Sequence, residues 1–248
     1  MDAVILAPGS HTRVPVLTCA DALRGQSVID GVDVLPADSD SDIDAALSRV
    51  QQNKSRLVVA GGDGVLRAVV RRMVRRAARR TTVTSGTVTS GTVTSQARAD
   101  QSGHTAESKL SALPEHRTIN DLAPLGLLPL DTQPQLPSLA RSLELPSSPA
   151  EVAAAVGGGK TRRLDLFRSD HGGVTLHGIL LGTTITDDAS VDRLVAWQAH
   201  VEVDDTTLTS GDEPVLACAI ANANGYAQLA GLPLLETTDP ADGTVAIA

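Results

Sequence analysis

The junction at residues 57–66 constrains this chain more than any other stretch. Leu57-Val58-Val59-Ala60 runs directly into Gly61-Gly62-Asp63-Gly64 and then into Val65-Leu66. A short apolar run closed by glycines fits a buried strand ending in a tight turn, and the residues from about Val65 suit a helix. The same rhythm precedes it. Ala3–Ala7 is an apolar run stopped by Pro8-Gly9-Ser10, a helix is predicted from about Val14 to Leu23, and Val32–Leu35 is a second strand candidate. Asp42–Val50 places Ile43, Ala46, Leu47 and Val50 at i, i+3, i+4 and i+7, one face of a helix. Strands alternating with helices imply a parallel, doubly wound sheet.

A glycine turn between strand and helix has a chemical use. It aims backbone N–H groups at the positive end of the helix dipole, and glycine lets phosphate oxygens come close. Asp63 adds a carboxylate that could hold Mg²⁺ beside the phosphates or take a proton from an attacking hydroxyl. A tight turn with an aspartate near a helix N-cap, serving structure alone, has the same sequence.

Residues 81–118 break the alternation. TVTSG occurs at 82–86 and 87–91, followed by TVTSQ at 92–96, copies too short for a solenoid or propeller repeat. This stretch is expected to be a low-complexity insertion, disordered or an expanded surface loop. Strand character returns at Leu125–Leu130, and Pro149–Val156 is predicted as a helix. Beyond Arg163 the apolar runs become short: Leu164–Phe167, Val174–Leu181, Val201–Val203, Val215–Ile220 and Thr244–Ile247. Turn residues separate them, including Asp170–Gly173 and Ser210–Asp212. The expected fold class is therefore α/β. A doubly wound, Rossmann-like N-terminal domain would span residues 1–158 and a smaller β-sandwich-like domain residues 159–248, joined by a flexible linker near Gly157–Gly159.

Composition excludes several functions. One Trp, one Tyr and one Phe cannot build a stacking platform for bases, and 21 basic against 29 acidic residues give a net charge of -8, so nucleic acid is not an expected partner. Cys19 and Cys218 lie far apart in apolar stretches, which suits buried free thiols in a reducing cytoplasm. The start has an acidic second residue and too short an apolar run for a signal peptide, and no apolar segment nears the roughly 18 residues of a membrane span. A soluble, cytoplasmic protein is the expectation; the sequence sets no oligomeric state.

Other motifs compete for attention. Gly157-Gly158-Gly159-Lys160-Thr161 approaches a Walker A loop, but a helix-like stretch precedes it and a strand-like one follows, the reverse of the required order. Arg71, Arg72, Arg75, Arg76, Arg79 and Arg80 recur in pairs every four residues, forming a basic stripe. It suits either a solvated helix face or attraction to anionic lipid headgroups. The six histidines form no zinc-binding cluster.

Several segments, in order, resemble one family. Leu57–Met73, LVVAGGDGVLRAVVRRM, is similar to the glycine-loop segment of the diacylglycerol kinase catalytic domain. Ile5–Ser10, Leu125–Pro146, Lys160–Leu166 and Ile220–Ile247 resemble that family's opening strand, its threonine-bearing nucleotide loop, the start of its β-rich domain and that domain's later strands. The resemblance implies an ATP- and Mg²⁺-dependent kinase acting on the hydroxyl of a diacylglycerol-like or sphingoid lipid, peripherally on the inner face of a membrane. It places Gly61, Gly62, Asp63, Gly64, Thr132 and Asn222 at the nucleotide, with Asp63 catalytic, and Asp242 near the metal. Departures from the pattern are Ala7, Val65, Asp131, Pro134 and Gln135, and a C-terminus expected to be short relative to the family. These departures support an alternative expectation, a catalytically impaired pseudokinase that binds nucleotide or lipid as a regulatory module. A kinase acting on NAD or a sugar is a third.

Overall fold

The computed structural model describes residues 1–9, 13–85, 122–130, 138–169, 173–182, 196–203 and 206–222, together with 228–229, 232–233, 235, 239, 241 and 246–248. In the N-terminal half β1 (Ala3–Ala7), α1 (Val14–Arg24), β2 (Val32–Pro36), α2 (Asp40–Asn53), β3 (Arg56–Gly61), α3 (Asp63–Ser85) and β4 (Leu125–Pro129) follow in order. The strands form a parallel sheet in the order β2-β1-β3-β4, with Ala3 opposite both Val32 and Arg56, and Leu57 opposite Leu125. The short α4 (Leu139–Ser142) and α5 (Pro149–Gly158) complete this half.

The strands read as continuous apolar runs because both faces are covered. Ala3, Ile5, Ala7, Val58, Ala60 and Leu128 face α1 and α5, meeting Val16, Cys19, Ala20, Leu23, Val152 and Ala153. Val4, Leu6, Leu57 and Val59 face the other way, onto Ile43, Ala46, Leu47 and Val50 of α2 and Val69 and Met73 of α3. The predicted face of α2 is the buried one. Its start is fixed by a capping box: Ser39 accepts from the Asp42 N–H while the Asp42 carboxylate accepts from Ser39. Cys19 and Cys218 are both free and buried, and burial pushes the Cys19 thiol up to about 11.

Three expectations are corrected. The helix α3 runs on to Ser85, five residues into the stretch expected to be an insertion; the rest of residues 81–118 lies outside the described residues. The glycine run is not a flexible linker. Gly157 and Gly158 end α5, and Gly159 is its C-cap at φ +70, donating its N–H to the Ala155 carbonyl. The arginine stripe is not simply a solvated face: Arg71, Arg72 and Arg76 turn onto α2. Arg72 Nε donates to Asp44 Oδ1 at 3.0 Å and Nη1 to Asp40 Oδ2 at 3.0 Å, both carboxylates on α2. Arg76 donates to the Asp44 carbonyl at 2.9 Å and to Ser48 Oγ at 3.0 Å, and Arg71 lies 3.7 Å from Asp40. The stripe clamps α3 to α2.

The C-terminal half is antiparallel β-structure: β5 (Phe167–Arg168), β6 (Val174–Thr175), β7 (Gly178–Gly182), β8 (His200–Val203), β9 (Thr206–Ser210), β10 (Ala217–Ala221), β11 (Gln228–Leu229), β12 (Leu232–Pro233) and β13 (Ala246–Ile247). Strands β13-β10-β7 form one sheet, and β5 with β6, β8 with β9 and β11 with β12 form pairs. Only Phe167 of the run predicted at Leu164–Phe167 is in a strand. Leu164 and Leu166 instead pack with Val174 and Leu176 against Leu66, Val70 and Val74 of α3. The back of α3 is thus buried by the β-rich half. Among the described residues no helix is long and apolar enough to cross a membrane.

Arg72→Gln, which removes charge-assisted bonds to two carboxylates, is expected to lower stability by about 1–2 kcal/mol in urea unfolding. Arg67→Gln, at an exposed position one turn earlier, should stay within about 0.5 kcal/mol of wild type.

Candidate functional site

In the order β2-β1-β3-β4 the chain leaves β1 toward one sheet edge and returns through β3 toward the other, so β1 and β3 flank the switch point. Open parallel sheets bind ligands beyond the carboxyl ends of the strands at such a point. Three segments reach that edge: Pro8–Gly9 after β1, Ala37–Asp38 after β2 and Gly61–Gly64 at the junction of β3 and α3. The Gly9 N–H donates to Asp38 Oδ1, and Gly9 itself has φ +64. Asp38 was not singled out in the sequence; its only signal there was an acidic residue closing the second strand.

The two outer glycines of the loop have different reasons to be glycine. A Cβ on Gly61 would sit 2.9 Å from both Cβ and Cγ2 of Val65, so Gly61 is required for α3 to turn back onto β3. A Cβ on Gly64 would meet nothing within 4 Å. Packing among the described residues therefore does not demand glycine at 64, whereas a ligand approaching the backbone would. The Gly62 carbonyl accepts from Val65 N–H at 3.0 Å and Leu66 N–H at 3.1 Å, closing the first turn of α3. The amides of Asp63 and Gly64 precede the first intrahelical bond and have no helical acceptor. With the dipole of a 23-residue helix behind them, they have the donor arrangement that suits an anion such as phosphate.

Asp63 is half-exposed and already engaged. Its Oδ1 and Oδ2 accept from the Leu139 N–H at 3.2 and 3.0 Å, satisfying the first amide of α4. Its Oδ2 lies 3.9 Å from His177 Nδ1. His177 stands on the turn between β6 and β7 with only 9% of its side chain exposed, and its Nε2 is 3.2 Å from Ser142 Oγ. Burial lowers the imidazole pKa, and the Asp63 charge opposes that shift. Neither His177 nor Ser142 carried a motif in the sequence, because a lone histidine in a β-like run looks the same whether it faces a site or a core.

The expected site residues divide. Gly61, Gly62, Asp63 and Gly64 are together at the switch point; Thr132 and Asp242 lie outside the described residues, as do Asp131, Pro134 and Gln135. Asn222 is 1% exposed at the end of β10. Its N–H donates to the His177 carbonyl at 2.9 Å and its Nδ2 to the Asp165 carbonyl at 3.0 Å. Its Oδ1 is buried with no hydrogen-bond partner among the described residues, an acceptor whose burial costs about 1–3 kcal/mol unless a donor reaches it. No group of three His, Cys, Asp or Glu side chains able to hold a metal forms among the described residues.

Residues 20–122 match the model of the diacylglycerol kinase catalytic domain. The matched stretch holds the glycine loop, and Thr132, Asn222 and Asp242 fall beyond it. A crystal structure of a diacylglycerol kinase from Bacillus anthracis str. Sterne is similar at TM-score 0.60 and 13% identity, covering 99% of this chain and 71% of that one. Two further structures from the same strain match at TM-score 0.60 and 12% identity, covering 100% and 99% of this chain and 74% of each of theirs. At these identities the likeness is one of fold. A search of curated proteins gave no match.

Gly61→Ala is expected to cost about 1–3 kcal/mol through overpacking against Val65. Gly64→Ala should leave the thermal midpoint unchanged or raise it, since alanine suits a helix better, yet weaken ATP binding measured by calorimetry.

Proposed function

We propose that the protein is an ATP-dependent lipid kinase of the diacylglycerol kinase type, phosphorylating the hydroxyl of a diacylglycerol-like or sphingoid lipid. The observation that carries this is the Gly61–Gly64 loop: an α3 N-terminus at the switch point, with open space over Gly64 that leaves room for a ligand to approach the backbone. The family match over residues 20–122 supports the reaction class, and the lipid class rests on the motif resemblance.

ATP supplies the phosphoryl group, and the loop's donor set suits its phosphates. Magnesium would arrive largely on those phosphates, since one or two carboxylates plus substrate oxygens are its usual site. The chain's own part is positioning and charge. The amides of Asp63 and Gly64 hold phosphate oxygens, and the Asp63 carboxylate takes the proton of the attacking lipid hydroxyl. The buried Asn222 Oδ1 is an acceptor for a nucleotide hydroxyl or amino group. The lipid would be met at the inner face of a membrane, with the protein binding peripherally.

The test is transfer of labelled phosphate from ATP to diacylglycerol in mixed vesicles with Mg²⁺. Asp63→Asn is the informative variant, because asparagine still accepts the Leu139 N–H while the base is lost. Transfer by wild type, reduced on the order of 10²-fold or more in Asp63→Asn, is expected. Nucleotide binding without transfer to any lipid would overturn the kinase in favour of a regulatory nucleotide-binding module.

A further inference from the structure

The carboxylate of Asp63 has two tasks in the proposed kinase: it accepts the first amide of α4 and faces the reacting hydroxyl. A half-exposed aspartate has the rotamer freedom to leave that orientation. The group that limits it comes from the other half of the chain.

We propose that His177 is a positioning residue, fixing the Asp63 carboxylate over the Leu139 amide and so setting where the phosphate loop presents its charge; this rests on the kinase reading. The ring sits between Asp63 and Ser142, with Nδ1 3.9 Å from Asp63 Oδ2 and Nε2 3.2 Å from Ser142 Oγ. When the Ser142 hydroxyl donates to Nε2, the neutral ring carries its proton on Nδ1, the edge that faces Asp63. That N–H presents a positive dipole to the carboxylate without competing for the lone pairs that Leu139 uses. The ring's own place is set from behind. The Asn222 N–H holds the His177 carbonyl at 2.9 Å, and Asn222 Nδ2 holds the Asp165 carbonyl at 3.0 Å. Val174 and Leu176 seat the same hairpin on α3. Asn222, expected at the nucleotide from its motif, thus also acts on the site through His177. The chain of contacts runs from β10 to the β6–β7 turn to the phosphate loop, so the β-rich half reads out on Asp63.

Two substitutions divide the ring's edges. In His177→Asn the side-chain amide replaces the Nδ1 edge toward Asp63. In His177→Gln it replaces the Nε2 edge toward Ser142 and leaves Asp63 unfaced. The first measurement uses the full chain without ligand: hydrogen exchange of the Leu139 amide, whose acceptor is Asp63. Protection at Leu139 is expected to fall on the order of tenfold in His177→Gln and to be largely recovered in His177→Asn, because a misplaced carboxylate releases that amide. The second is transfer to diacylglycerol with Mg²⁺ and ATP. His177→Gln should lose on the order of 10- to 100-fold in kcat with little change in KM for ATP, and His177→Asn should recover most of it. Thermal midpoints of both variants separate this from a fold defect, which would lower both alike. Equal Leu139 protection in wild type and both variants, or equal losses in Asn and Gln, would overturn the proposal. Should wild type transfer no phosphate, the kinase reading fails, and an Asn-against-Gln difference at Leu139 still supports the positioning role while no difference overturns it.

Discussion

The close approach of α3 to β3 at Gly61 is the constraint on which the site depends. Val65 occupies the space that any side chain at 61 would need, at 2.9 Å from the position of its Cβ. Because of that contact the helix starts immediately after the strand, and its first amides point past the sheet's carboxyl edge. A longer turn would move those amides away from Gly9 and Asp38, and the switch point would lose its donors. Val65 itself, standing where the related pattern has threonine, is partly buried against the α2–α3 face of the core. The hydroxyl lost there is exchanged for apolar packing, so the departure has a structural reason.

The second dependence is electrostatic. A helix carrying arginines in pairs would repel itself along one face. Asp40 and Asp44 sit on the facing helix and take up Arg71, Arg72 and Arg76, so the repulsion becomes an interhelix clamp. The hydrogen bond to Asp44 raises the Arg72 pKa, with burial opposing it and the Asp44 and Asp40 charges adding to it. These three arginines therefore brace the helix whose N-terminus is the proposed phosphate site. The opposite flank of α3 is stiffened by apolar contact with Leu164, Leu166 and Val174. In the proposed kinase, a loop between two such anchors would lose little order on binding a ligand, which is what preorganised electrostatic stabilisation needs.

The N-terminal half was legible because strands buried on both faces leave continuous apolar runs, and α2 shows its buried face at helical spacing. What faces that helix was not legible: Arg72 and its partner Asp44 are 28 residues apart in sequence, and periodicity alone reports a stripe without its neighbour. The Thr-Val stretch after Arg80 reads as a low-complexity insertion by its short repeats, yet an established helix of many turns carries through Ser85, where extension costs far less than nucleation. The triple glycine looked like a linker because composition cannot distinguish a mobile run from a left-handed cap. In the β-rich half, Leu164 and Leu166 alternate as a strand would and spend that face on α3 instead of on a sheet. The glycine loop was found because its chemistry is local. His177 and Ser142 were missed because theirs is not.

Asp63 shows why the glycine motif alone could not decide between a structural turn and a catalytic loop. Both descriptions hold for the same carboxylate. Its bonds to the Leu139 amide are what a helix-capping aspartate makes, and its place beside unpaired first-turn amides is what a base near phosphate needs. The two uses are compatible because a carboxylate has about four lone-pair sites, of which a single shared N–H takes at most two. Burial lowers the pKa of the imidazole 3.9 Å away while the Asp63 charge opposes that shift, so the two groups act on each other across the halves of the chain. A carboxylate that must keep one orientation while a substrate approaches gains from such a neighbour. The geometry around Asp63 thus favours a residue with work beyond the fold, held in place by an element more than one hundred residues away in the chain.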